Sequence, residues 1–297
     1  MPPVLHRQAE GSGYRRPYRA LQSAFRCCFQ QEIRSTGHSV VMSDSKKALR
    51  WGAFFIAWLA VVPALAGTCG SSPDIGEPVV SRYVIDGDTL ELVDGRRVRL
   101  IGINAPEIGR RGNASEPYAR RARTELERLV EKAGLRLLVG EDAQDDYGRT
   151  LGHLFDIQGA NIEAQLLRSG MGFAIGIPPN LALLDCHLRQ ESLAREAELG
   201  VWRQAPIIQA AEVRQGGFQL VRGRVLSIER AGRYLWLELD GPLVLRIAAD
   251  QQGFGQLDSW RGRSLEVRGW VVDRGTRRRD HKRFMLPLRE PKMANFD

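Results

Sequence analysis

The sequence predicts a mostly β protein with helices, followed by a second, smaller region built almost entirely of strands. Three patterns carry that prediction. Residues 79–103 alternate apolar and polar positions on either side of Asp94-Gly95, a strong short-range hairpin signal. Ala119, Ala122, Leu126, Leu129, Val130 and Ala133 then recur at spacings of three and four, the period of a helix with one buried face. From about Gln219 the apolar runs are short and separated by Gly and Asp turns, as in a small sandwich or barrel.

In chain order, residues 79–85, 88–93 and 96–103 read as strands, with Leu90/Leu92 and Val98/Leu100 alternating against polar neighbours. Ser115 can cap the first helix, Pro117 is tolerated in its first turn, and Gly134 stops it. Residues 135–140 and 149–156 are strand segments. Asn161 starts a short helix ended by Gly170, and Asn180 caps a longer one that runs to Leu199 and stops at Gly200. Residues 206–217, rich in Ala, Gln and Gly, read as a linker. Beyond it, strands are expected at 219–228, 234–239, 243–248 and 264–272, with a weaker one near 283–288. The gap 249–262 would hold a short helix, and 291–297 a tail.

At 297 residues the chain can bury more than one core. Its net charge of +8 is unevenly spread. Residues 1–66 hold nine Lys/Arg and three Asp/Glu, residues 67–212 hold 17 against 22, and residues 213–297 hold 17 against 10. A polyanion would therefore be drawn mainly to the C-terminal part. Lys46-Lys47-Ala48-Leu49-Arg50 followed by the apolar run Trp51 to Leu65 has the form of a signal peptide over 42–66, with Ala64-Leu65-Ala66 as a cleavage site before Gly67. The same run also suits an uncleaved membrane anchor. The 41 residues before Met42 are polar and aperiodic, and read as a disordered leader or an over-extended start. Cys27-Cys28 lie in that leader, which leaves Cys69 and Cys186 as a disulfide candidate in an exported chain, or as two unpaired thiols. No Cys/His group has zinc-like spacing.

The chemistry concentrates in three segments: Val84-Ile85-Asp86-Gly87-Asp88-Thr89-Leu90, Arg99-Leu100-Ile101-Gly102-Ile103-Asn104-Ala105-Pro106-Glu107, and Asp145-Asp146-Tyr147-Gly148-Arg149. Folding the hairpin between the first two gathers three carboxylates, an amide and Arg99 in a small volume. Acidic oxygens beside an arginine suit a hard divalent cation and a phosphodiester together. Asp-Gly-Asp alone also favours a tight turn.

Together and in this order, the segments resemble the staphylococcal nuclease (thermonuclease) family over about residues 79–203, ending in Leu199-Gly200-Val201-Trp202. The resemblance implies an OB-type β-barrel with flanking helices for an SNase-like domain over 67–205. It implies that Asp88 is the principal metal carboxylate, with Asp86, Asn104 and the carbonyl of Ala105 around one Ca2+. Glu107 would stand by the attacking water as base or positioner, Arg99 and Arg149 would grip the scissile phosphate, and Tyr147 would bind a terminal phosphate. The implied activity is hydrolysis of DNA and/or RNA with little sequence preference by a periplasmic or secreted enzyme. A weakly active or inactive module that binds nucleic acid or protein is the alternative.

Three departures stand out. Asn104 replaces a family aspartate, Ala105 replaces a threonine, and Gly176-Ile177-Pro178 lies where the family has aromatic residues beside the substrate base. The basic C-terminal region, with Trp236, Trp260, Trp270 and Arg277-Arg278-Arg279, is either a second source of nucleic-acid affinity or a structural barrel. Its Arg222-Gly223-Arg224-Val225 and Leu265–Val271 runs resemble, weakly, those of nucleic-acid-binding OB-folds, so 218–290 is expected to form a second small OB-like β-barrel.

Overall fold

The computed structural model describes residues 69–70, 75–109, 112–131, 134–204, 206–275 and 281–296. The expected leader, the signal segment 42–66 and Arg277-Arg278-Arg279 lie outside the described residues. Among those described, no helix is long and apolar enough to cross a membrane.

The N-terminal half contains β1 (Glu77–Val79), β2 (Ser81–Asp86), β3 (Thr89–Leu92), β4 (Arg97–Leu100), β5 (Ile103–Asn104), α1 (Ala119–Val130), β6 (Leu135–Gln144), β7 (Thr150–Phe155), α2 (Ile162–Arg168), β8 (Phe173–Ala174) and α3 (Leu184–Glu196). Its main sheet has the order β1-β6-β7-β4-β3-β2. Only Val80 separates β1 from β2, so the two edges are halves of one bent strand, and the sheet curls round toward closure. The β3–β4 hairpin turns at Asp94-Gly95, where Gly95 takes φ 88° and the Asp94 carboxylate accepts from Arg96 N–H. Inside, Leu90, Leu92, Val98 and Leu100 from the alternating strands meet Leu126 and Leu129 of α1 and Leu166 of α2.

Two helix starts differ from expectation. α1 begins after Tyr118, which sits in the left-handed region at φ 69°, and no side chain caps it. Ser115 instead accepts from Gly109 N–H, so its hydroxyl braces the preceding loop. Asn180 does not cap α3, because its amide is spent on both the N–H and the C=O of Asp142. Asn161 does cap α2, accepting from Ala164 N–H.

The C-terminal half contains β9 (Ile207–Gln209), β10 (Gly217–Ala231), β11 (Tyr234–Leu239), β12 (Leu243–Ala248), β13 (Ser264–Asp273), β14 (Phe284–Pro287) and β15 (Ala294–Phe296). Strands β10-β11-β12-β14-β13 run in a ring that closes because β13 also pairs with β10. In this ring β12 pairs in parallel with β14, as β4 pairs in parallel with β7 in the first half. With β1/β2 counted as one strand, both halves share the order first-second-third-fifth-fourth, the OB arrangement. Residues 206–217 are not an open linker: β9 pairs with β10, and Val213 is fully buried in the second core. The tail is ordered as well, since β15 pairs with β13.

The halves are packed together within one unit that begins at Thr68. Leu184 and Ile175 belong to the second core, with Leu181 and Leu188 against it. At the centre of this contact Arg268 of β13 holds both carboxylate oxygens of Glu191 at 2.6 Å, and Glu191 also accepts from Ala174 N–H at 2.7 Å. Arg195 grips Glu266 through two bonds of 2.9 Å. A disulfide joins Cys69 to Cys186 on the buried side of α3.

Candidate active site

The turn between β2 and β3 carries Asp86-Gly87-Asp88. A Cβ on Gly87 would lie 2.5 Å from Cβ of Ala122 and 2.6 Å from Cβ of Ala105, so only glycine lets this turn sit between α1 and the loop after β5. The close approach lets Ala105 N–H donate to Asp88 Oδ2 at 2.7 Å. Thr89 Oγ1 donates to Asp88 Oδ1, and Asp88 N–H donates to Asp86 Oδ1. On β4, Arg99 is paired with Thr89 of β3, and its guanidinium reaches Asp88 Oδ2 at 3.1 Å and Asn104 Oδ1 at 3.3 Å. Its other terminal nitrogen donates to the carbonyls of Leu100 and Ile103.

Asp86, Asp88 and Asn104 are all buried. Burial pushes the Asp88 carboxyl up to about 7; Asp86 adds to the rise, while Arg99, Ala105 N–H and Thr89 oppose it. The donors are hard oxygens only, two carboxylates and an amide, and they fit a hard divalent ion. Among the described residues no group of three His, Cys, Asp or Glu side chains forms a metal cluster. The third oxygen here belongs to Asn104, an amide.

Glu107 lies three residues beyond Asn104 on an exposed loop. Its N–H donates to Glu116 Oε2 and its carbonyl accepts from Glu116 N–H, which ties this loop to the entry of α1. Arg149 immediately precedes β7 and lies two positions before Leu151, the parallel partner of Arg99. Asp145 holds Arg149 through Nε at 2.7 Å. Burial pushes the Asp145 carboxyl up, but N–H bonds from Arg149 and Tyr147 outweigh it and hold the group below its usual range. Tyr147 is 86% exposed, and the guanidinium of Arg149 stands 5.5 Å from its ring centre.

The structure thus brings Asp86, Asp88, Arg99, Asn104 and Ala105 into one bonded cluster, with Arg149 just before the adjoining strand β7 and Glu107 on the adjoining loop. Sequence reasoning missed Thr89, whose place directly after Asp88 was visible. It also missed Phe173, which pairs with Asn104 through the β5–β8 ladder. A pairing of two short strands 69 residues apart leaves no local signal.

The description "Staphylococcal nuclease homologue" matches residues 97–204. A thermonuclease of Staphylococcus intermedius is 30% identical over 138 residues, covering 45% of this chain and 82% of that protein. The chain belongs to the staphylococcal nuclease family. An uncharacterized endonuclease of Escherichia coli O157:H7 is 31% identical over 128 residues, 41% of this chain and 74% of its own. The SPbeta prophage-derived endonuclease YokF of Bacillus subtilis (strain 168) is 28% identical over 123 residues, 40% of this chain and 41% of its own. Membership makes the protein a hydrolase of the nuclease type. The family match includes Arg99, Asn104, Glu107 and Arg149; it begins after Asp88 and ends before β9.

Proposed function

We propose that this staphylococcal nuclease homologue is an exported, calcium-dependent phosphodiesterase that cleaves DNA and/or RNA with little sequence preference. The observation that carries the reading is the contact of Arg99 with Asp88 and Asn104, beside Asp86: buried acidic oxygens and a guanidinium in one cluster. Asp88, Asp86, Asn104 Oδ1 and the Ala105 carbonyl would hold the cation. When bound, it supplies positive charge for the phosphate oxygens.

Arg99 and Arg149, planar and permanently charged, pair with the non-bridging oxygens. As charge grows there and on the leaving oxygen, these bonds stabilise the transition state more than the ground state. Glu107 orients the water and takes its proton as the new P–O bond forms in line with the bond to the 5′ oxygen. That second bond breaks, the 5′ oxygen takes a proton from solvent water, and the product carries a 3′-phosphate. Tyr147, beside Arg149, contacts a terminal phosphate. The Cys69–Cys186 disulfide supports an oxidising compartment, periplasmic or outside the cell.

The deciding experiment compares digestion of single-stranded DNA and of RNA in calcium and in chelator. Calcium-stimulated cleavage that chelator abolishes is expected. Tight binding without turnover under any divalent metal would replace the reading with that of a nucleic-acid-binding module.

A further inference from the structure

A cleft of 480 Å³ opens beside the cluster and is lined by residues of both halves. At one end it is floored by Asn104 and Glu107, and at the other by Phe218 of β10 and Trp270 of β13. Phe173 stands between. It pairs with Asn104 in the β5–β8 ladder, its ring centre lies 5.7 Å from that of Phe218, and Phe218 lies 5.3 Å from Trp270. A row of three aromatic rings therefore leads from a candidate cation ligand onto the second barrel. Phe173 and Phe218 pack into the apolar contact between the halves, as core aromatics would. Trp270 does not: it is 41% exposed, although its strand neighbours Arg268 and Val271 are buried.

We infer that this cleft is a base-stacking subsite for single-stranded nucleic acid, with Trp270 and Phe218 receiving the base next to the bound phosphate. The inference rests on the nuclease reading and names residues of the second barrel as part of its substrate site. The volume falls within the range of ligand clefts. Every base offers a π-face, and a row of aromatic rings stacks against any of them, whereas bases inside a duplex are already stacked. A cation stands at the cleft's rim, where the Arg121 guanidinium lies 5.3 Å from the ring centre of Tyr118, a lining residue. It suits the phosphate of a strand whose bases enter the cleft.

The test measures binding of a fluorescein-labelled eight-residue oligothymidylate to the full chain by anisotropy in chelator, where no turnover is needed. Trp270→Ala is expected to weaken binding roughly 5- to 150-fold, the span of about 1–3 kcal/mol per stacked base. Trp270→Phe should restore most of that affinity, and in calcium the defect of Trp270→Ala should fall on KM. Trp236→Ala, on β11 and away from this cleft, should bind as the parent does. Unchanged affinity in Trp270→Ala overturns the subsite, even if calcium-stimulated cleavage persists and keeps the nuclease reading. Loss in Trp236→Ala alone moves the bases to another face and also overturns it, as does a parent chain that binds no oligonucleotide. Binding lost in Trp270→Ala and regained in Trp270→Phe, in a protein that cleaves nothing, keeps the subsite and removes the nuclease reading.

Discussion

At Asn104 the cluster carries an amide where a carboxylate of the same shape would add a charge. The amide oxygen accepts from Arg99, and the missing charge leaves Asp86 and Asp88 as the only carboxylates of the cluster. Asn104→Asp supplies a third anion in a buried place, so the calcium needed for half-maximal cleavage should fall by roughly tenfold, equivalent to about 1.4 kcal/mol. A titration that shows no shift would remove Asn104 from the cation site. His187 makes the second prediction at this scale. Its Nε2 faces Asn161 Oδ1 at 2.9 Å, an oxygen that also accepts from Ala164 N–H, so Nε2 carries the proton. Burial and then the neighbouring His153 push its pKa well below 6.5. Below pH 6.5 the unfolded chain takes up a proton that the folded His187 refuses. Stability present at neutral pH is therefore lost as pH falls, by at most about 1.4 kcal/mol per unit from this residue. Melting temperatures between pH 7.5 and 5.5 should show the decline, and His187→Gln should flatten it. Asp86, Asp88, Arg99 and Asn104 were legible because they are short-range neighbours across one hairpin and its next turn. His187 was not: nothing local marks a histidine whose Nδ1 faces Gly102, where even a Cβ would approach to 2.2 Å.

At the scale of elements, β11 and β12 were located to the residue, because Gly232, Asp240-Gly241 and Asp250 bracket two short apolar runs. Sequence reading failed where a side chain that usually caps a helix had another partner, as at Ser115 and Asn180. It failed again at β9, a three-residue strand made by its neighbour β10 and by no pattern of its own. The disulfide acts on an element too. It fixes Cys69, near the start of the first barrel, to α3 across a separation of 117 residues. Replacing both cysteines by serine should lower stability by about 2–4 kcal/mol, since closing a long loop restricts the unfolded chain most. Denaturant unfolding of the double variant against the oxidised parent measures it, and equal midpoints would show that the tether adds nothing.

For the whole molecule, the sequence suggested two β units, and the strands gave little sign that the first packs into the core of the second. Leu184 is the residue that shows why. It lies on a helix of the first half yet is buried in the second, a long-range contact that no periodicity encodes. The pair Glu191–Arg268 lies in the same contact, with both side chains 5% exposed or less. Arg268→Ala leaves a carboxylate buried without its cation, so it should cost about 3–5 kcal/mol. For a unit of this size that is roughly 6–20 °C in Tm. The loss should appear as one cooperative transition, because the halves unfold together. Two separated transitions, with only the later barrel weakened, would show that they melt independently.

That contact between the halves also sets an order in time. Arg268 follows Glu191 by 77 residues, so a ribosome adding about 5–20 residues per second delivers the arginine about 4–15 s after the glutamate. During that interval the nascent chain already holds Asp86, Asp88, Asn104 and Ala105 of the proposed cation site, but α3 has no second barrel to rest on and the cleft has only one wall. The wall that carries Trp270 is made after the residues it would complete.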